Sequence, residues 1–117
     1  MTVKLNQPAF EHAKKLIEQG KCVIDEKDQW SEHHPSTEKE NAYLQSHTVE
    51  EYGKWYLGVD TDEDADNKGR YKFPFSDFHK VHRCGVIAAE SRAGQYKYTD
   101  IERAAAHLHG MLETAKK

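Results

Sequence analysis

His79 and His82 sit three residues apart in a stretch with helical patterning, in a chain of 117 residues that carries eight histidines. On a helix that spacing puts both imidazoles on one face, as a transition-metal site would need. Zinc asks for about four ligands converging on one point, and a third could come from the His33–His34 loop. Cys84 does not join the His79–His82 face at helical spacing. No CxxC pair or HExxH motif accompanies these residues. The sequence therefore assigns no metal ligand and no cofactor. Cys84 and Ser91 are the nucleophile candidates near histidines. A catalytic pair needs a base within hydrogen-bond reach and a third group to orient it, and the spacing supplies neither. With no GxSxG elbow, P-loop or GxGxxG present, no catalytic residue is assigned.

Three further groups could carry chemistry. Asp60, Asp62, Asp64 and Asp66 alternate as in the first positions of an EF-hand loop. The pattern then fails, because Ala65 stands where the glycine belongs and Tyr71 where the bidentate glutamate belongs. A solvated acidic loop is expected. Glu90, Ser91 and Arg92 interrupt a small-residue helix. Glu90 lies two turns beyond Arg83, which points to a salt-bridged helix contact or a small anion pocket with His82. The strip Arg70, Tyr71, Lys72, Phe73 and Phe75, with Lys80, Arg83, Tyr96, Lys97 and Tyr98, interleaves cations with aromatics. Single-stranded nucleic acid is bound that way, and aromatic anchors covered by snorkelling cations also look so. No helix-turn-helix, RRM or zinc-finger pattern accompanies it.

Charge follows the same division. Residues 1–67 hold 7 Lys+Arg against 15 Asp+Glu, and residues 68–117 hold 10 against 5, so balances of −8 and +5 make up the net −3. The halves can neutralise each other by packing, or the basic half can face an acidic protein or nucleic acid. The chain is 37% hydrophobic and 32% charged, with mean hydropathy −0.96. One domain over residues 1–117 with a modest core is expected. The N-terminus lacks the apolar segment of a signal peptide, and no apolar run approaches the ~20 residues of a membrane span. Two cysteines without framework spacing point to a reduced, cytoplasmic setting.

These groups need elements to position them. Ala9, Phe10, Ala13, Leu16 and Ile17 form one stripe and predict a helix over about Ala9–Gln19, with Pro8 at its start and Gly20 at its end. Lys21–Asp25 is either a connector or a short strand. Trp30 is an anchor in the polar loop Asp25–Pro35. Capping boxes at Thr37/Glu40 and Thr48/Glu51 predict helices over about Glu38–Ser46 and Val49–Leu57, with Gly58 as a stop. Tyr71–Phe75 reads as extended before Pro74. Asp77 reads as the N-cap of a helix over Phe78–Ala93, ended by Gly94. A third capping box, Thr99/Glu102, opens an amphipathic helix over Asp100–Ala115. Gly85, Ala88 and Ala89 let another element approach closely, within the chain or across a homo-oligomer. The fold expected is all-α, four to five helices around one core, with a minor two-stranded element left open.

The segments WSEHHPSTEKEN, EYGKWYLGVD, KGRYKFPFSDFHKVHRCGVIAAESRAGQYKY and DIERAAAHLHGML together resemble a family of small bacterial proteins with no assigned activity. That likeness runs from about Pro8 to Leu112 and carries over no site residue. A shorter one, over YKFPFSDF, VHRCGVIAAESRA and DIERAAAHL, is similar to stretches of phage-derived head and protease-associated proteins. Two functions are expected from the residues. The first is an interaction module whose face uses Arg70, Tyr71, Lys72, His79, His82, Arg83, Glu90, Arg92 and Tyr96. The second is a small enzyme or metal-binding protein centred on His79, His82, Cys84 and Glu90.

Overall fold

A computed structural model describes residues 3–26, 29–30 and 36–115. The His33–His34 loop lies outside the described residues. The chain opens with strand β1 (Val3–Leu5) and helix α1 (Gln7–Glu18), followed by the two-residue strand β2 (Cys22–Val23). Helices α2 (Thr37–Ser46) and α3 (Val49–Gly53) lead into β3 (Tyr56–Asp60). After a short 3₁₀ turn at Lys68–Arg70 come β4 (Tyr71–Pro74), β5 (Val81–His82), α4 (Arg83–Gln95) and α5 (Thr99–Ala115).

The fold is mixed α/β, which corrects the all-α expectation. β3 is the centre of a three-stranded antiparallel sheet in the order β1-β3-β4, and β2 pairs with β5 in a parallel two-stranded ladder. The cause of the error is local. Every residue of Tyr56–Asp60 is buried, so β3 shows none of the polar alternation that marks a half-exposed strand. Its apolar run therefore read as the end of the preceding helix. That helix stops at Gly53. Gly58 is not its stop but a point of close packing, where a Cβ would stand 2.7 Å from the Phe73 ring and 3.2 Å from Ile101.

Asp77 does cap, but it caps a turn. Its Oδ1 accepts from the backbone N–H of His79 at 2.9 Å and of Lys80 at 2.8 Å. That turn and β5 occupy Ser76–His82, so the expected helix over Phe78–Ala93 begins only at Arg83. His79 and His82 therefore share no helix face. α4 then runs past Gly94 to Gln95, and Lys97 takes the left-handed backbone at φ 61°. Ser36, not Thr37, caps α2 by accepting from Lys39 N–H. The Thr48/Glu51 capping box is present in full.

The core joins both halves. Ala9, Ala13, Leu16 and Ile17 of α1 pack with Leu57 of β3, Val86, Ala89 and Ala93 of α4, and Ile101, Ala105, Leu108 and Leu112 of α5. Each fully buried Val, Leu or Ile side chain contributes about 1.5–3 kcal/mol. Asn6 locks the start of α1 to the sheet: its Nδ2 donates to the carbonyls of Gly53 at 2.8 Å and Tyr56 at 3.0 Å. The small-residue face of α4 is used inside the chain. At Gly85 a Cβ would meet the Phe75 backbone and the Trp30 ring, each at 2.9 Å.

Candidate functional site

The parallel ladder pairs Cys22 with Val81 and Val23 with His82. Asp25 follows β2 by two residues and so arrives beside the start of α4. Its carboxylate is saturated there. Oδ1 accepts from the backbone N–H of Cys84 at 2.7 Å. Oδ2 lies 2.7 Å from His82 Nδ1 and accepts from the Cys84 thiol at 3.1 Å. The other ring nitrogen of His82, Nε2, lies 2.9 Å from Asp77 Oδ2. Arg83 Nη1 donates to the Asp25 carbonyl at 3.0 Å.

This centre is buried: the side chains of Asp25 and His82 are 5% and 9% exposed. A buried carboxylate is tolerable only when paired and hydrogen-bonded. Asp25 also serves as the cap of α4, because its carboxylate binds a free N–H at a helix start whose N-cap residue, His82, makes no side-chain cap. Burial, then the hydrogen bond to Asp25 and its negative charge, push the Cys84 thiol up to about 12. The thiol is therefore protonated at neutral pH in this arrangement and is not a ready nucleophile. At Asp77 burial works upward, and hydrogen bonds from His82 and the Lys80 and His79 N–H groups outweigh it, so its carboxyl lies below the usual value.

A second constellation lies along the other end of α4. A cleft of about 580 Å³ opens between β4, the end of α4 and the loop after it. Its walls include Tyr71, Lys72, Phe73, Arg92, Tyr96 and Tyr98, with Glu40, Tyr52, Tyr56 and Lys68 at the other side. That volume falls in the range of small-ligand sites. Tyr96 is 64% exposed, and its ring stacks on Tyr98 with centroids 5.8 Å apart at 29°. Phe73 braces Tyr98 edge-on at 6.0 Å. Behind them the Tyr56 hydroxyl lies 2.7 Å from that of Tyr52 and 3.4 Å from Glu40. Burial raises both phenols, Tyr52 to about 12 and Tyr56 beyond it.

The cations of the cleft differ in their engagement. Lys68 contacts Glu40 at 3.5 Å and Asn41 at 3.1 Å. Among the described residues, no acidic side chain forms an ion pair with Lys72 or Arg92.

The nine residues expected to share one face are distributed over several places. Tyr71, Lys72, Arg92 and Tyr96 line the cleft. Arg70 borders a neighbouring recess with Glu50 and Asp66, its guanidinium 5.6 Å from the centre of the Tyr71 ring. His79 lies with Tyr43, His47 and Asp77 on another side. His82 and Arg83 belong to the buried centre. Arg83 and Glu90 do not pair directly. Arg83 binds Glu113 on α5, Glu113 lies 3.4 Å from His109, and His109 lies 3.1 Å from Glu90. Asp25 was missed, because it stands 57 residues from His82 and only the strand pairing joins them. Glu40, Tyr52, Tyr56 and Lys68 were missed as well. An aromatic spaced for a buried helix face gives no sign that its hydroxyl edges a cleft.

Compared with known proteins, the chain matches no protein-family model, no curated protein and no solved structure.

Proposed function

We propose that the cleft between β4 and α4 binds single-stranded nucleic acid, one base stacking on the Tyr96–Tyr98 pair while Lys72 and Arg92 hold phosphate. The observation that carries this is the Tyr96–Tyr98 stack, open at Tyr96, beside two cations with which no acidic side chain among the described residues forms an ion pair. Every base has a flat face, so stacking of this kind is tolerant of sequence and adds about 1–3 kcal/mol per base. The basic balance of residues 68–117 supports the same assignment. Both cysteines are free thiols, which fits a reducing, cytoplasmic setting. Among the described residues no helix is long and apolar enough to cross a membrane.

The test is fluorescence anisotropy with short labelled single strands and a duplex of equal length, at rising salt. Two phosphate contacts on a single strand predict a log–log salt slope of about −1.4. Tyr96→Ala should weaken single-strand binding by about 1–3 kcal/mol. An unchanged anisotropy at low salt would reject the assignment. Binding of an acidic peptide in its place would reassign the cleft to an acidic protein partner.

A further inference from the structure

The buried centre has a ligand chemistry of its own, separate from the cleft. A carboxylate oxygen of Asp25, a ring nitrogen of His82 and Sγ of Cys84 lie within 4.8 Å of one another. These are an oxygen, a nitrogen and a sulfur donor on three separate side chains. We propose that Asp25, His82 and Cys84 form a binding site for a divalent transition-metal ion of the zinc class.

The surroundings fit that role in two ways. First, His82 reaches Asp25 through Nδ1, while Nε2 is held 2.9 Å from Asp77. A carboxylate on the far nitrogen is the usual device for fixing a metal-binding imidazole and raising its basicity. Second, Asp25 is fixed at its backbone and at its other oxygen. Arg83 binds its carbonyl and the Cys84 N–H binds Oδ1, so Oδ2 remains directed at His82 Nδ1 and Cys84 Sγ.

The present spacings are those of hydrogen bonds, 2.7 Å from Oδ2 to Nδ1 and 3.1 Å from Sγ to Oδ2. Tetrahedral bonds of about 2.0 Å to oxygen and nitrogen and about 2.3 Å to sulfur separate the donors by roughly 3.3–3.5 Å. Entry of the ion thus moves the donors apart by about half an ångström and displaces two protons to solvent, the thiol proton and the one held between His82 Nδ1 and Asp25 Oδ2. The mixture of thiolate, imidazole and carboxylate suits zinc and excludes the all-oxygen preference of calcium or magnesium.

The probe is Zn(II), with Co(II) as its optical substitute, added to the untagged full chain. One Zn(II) per chain is expected in calorimetry, and Co(II) should give a near-ultraviolet thiolate charge-transfer band. Cys84→Ser should abolish that band, and Cys22→Ser should leave it intact. Asp77→Asn should weaken Zn(II) binding about 10–100-fold. Cys84→Ser changes one atom, so circular dichroism and a melt of the apo variants separate loss of binding from loss of fold. His82→Gln should weaken binding with the band retained by the remaining thiolate. Absence of stoichiometric Zn(II) binding overturns the proposal. So does a Co(II) spectrum without the thiolate band, which would mark adventitious binding at surface histidines, and so does a band that survives in Cys84→Ser.

Discussion

At the N-terminal end of α4 the side chains of Asp25, His82 and Cys84 are buried and matched to one another, whereas at its C-terminal end, about 20 Å along the axis, Arg92 and Tyr96 are exposed. Asp25 supplies negative charge to the first N–H groups of the helix, and Arg92 supplies positive charge to the last turn, so both ends complement the helix dipole. The groups differ in what else they contact. Asp25, His82, Asp77 and Cys84 satisfy each other, so removing one strands the others without water to replace it. Arg92 and Tyr96 are exposed, and their loss leaves the buried core untouched. Burial therefore separates residues whose loss costs stability from residues whose loss costs little.

The largest effect expected from this contrast is at Asp25. Asp25→Ala should destabilise the chain by several kcal/mol, because it leaves the Cys84 N–H, the Cys84 thiol and His82 Nδ1 without their acceptor, at about 1–3 kcal/mol for each buried group left unsatisfied. Tyr96→Ala should change stability by no more than about 0.5 kcal/mol. Urea unfolding of the two variants side by side measures both, and equal losses would erase the distinction between the two ends.

Gly85→Ala comes next. The new methyl group would press on the Phe75 backbone and the Trp30 ring, and overpacking of that kind costs about 1–3 kcal/mol. Better helix propensity returns up to about 1 kcal/mol. The net expectation is a loss, read as a lower denaturation midpoint. A stabilised variant would mean that the N-terminal end of α4 is packed more loosely than its contacts with Phe75 and Trp30 indicate.

The smallest effect belongs to a histidine outside both sites. His12 packs edge-on against Trp55 at 4.6 Å. Burial, then the charges of Lys54 and Lys15, hold its pKa below the usual 6.5. The folded chain thus binds fewer protons at His12 than the unfolded chain. Its neutral form contributes fully above pH 6.5, and stability declines as pH falls from there towards the folded value. An imidazole midpoint below 6.5 by proton NMR is the expected result; a midpoint at or above it would show that the packing does not exclude the charged form.

The same contrast explains what could be read from the residues alone. The stripes of α1 and α5, the Thr48/Glu51 box and the extended Tyr71–Pro74 strip follow local periodicity or capping, and each lies within a residue or two of its expected place. Part of the cleft was legible for the same reason, since Tyr71, Lys72, Arg92 and Tyr96 fall in the stretch Arg70–Tyr98. β3 was hidden by burial on both faces. The Asp25 centre was hidden by distance: neither an aspartate after a two-residue strand nor a histidine before a helix signals its partner. The helical reading of Phe78–Ala93 turned His82 and Cys84 away from each other. The strand-to-helix change at His82 and Arg83 directs both towards Asp25.

The pairing of Cys22 with Val81 and Val23 with His82 also bears on when the molecule can fold. Closing a ladder of two residues at each side across nearly sixty residues of chain costs loop entropy before it returns much contact energy. Until it closes, the Asp25 carboxylate has no partners, and α4 lacks the acceptor at its first turns. A partly folded chain containing α1 but not β5 gains little from its own helix. The expectation is a cooperative transition in which the centre forms late, so synthesis must proceed past Cys84 before Asp25 is held in place.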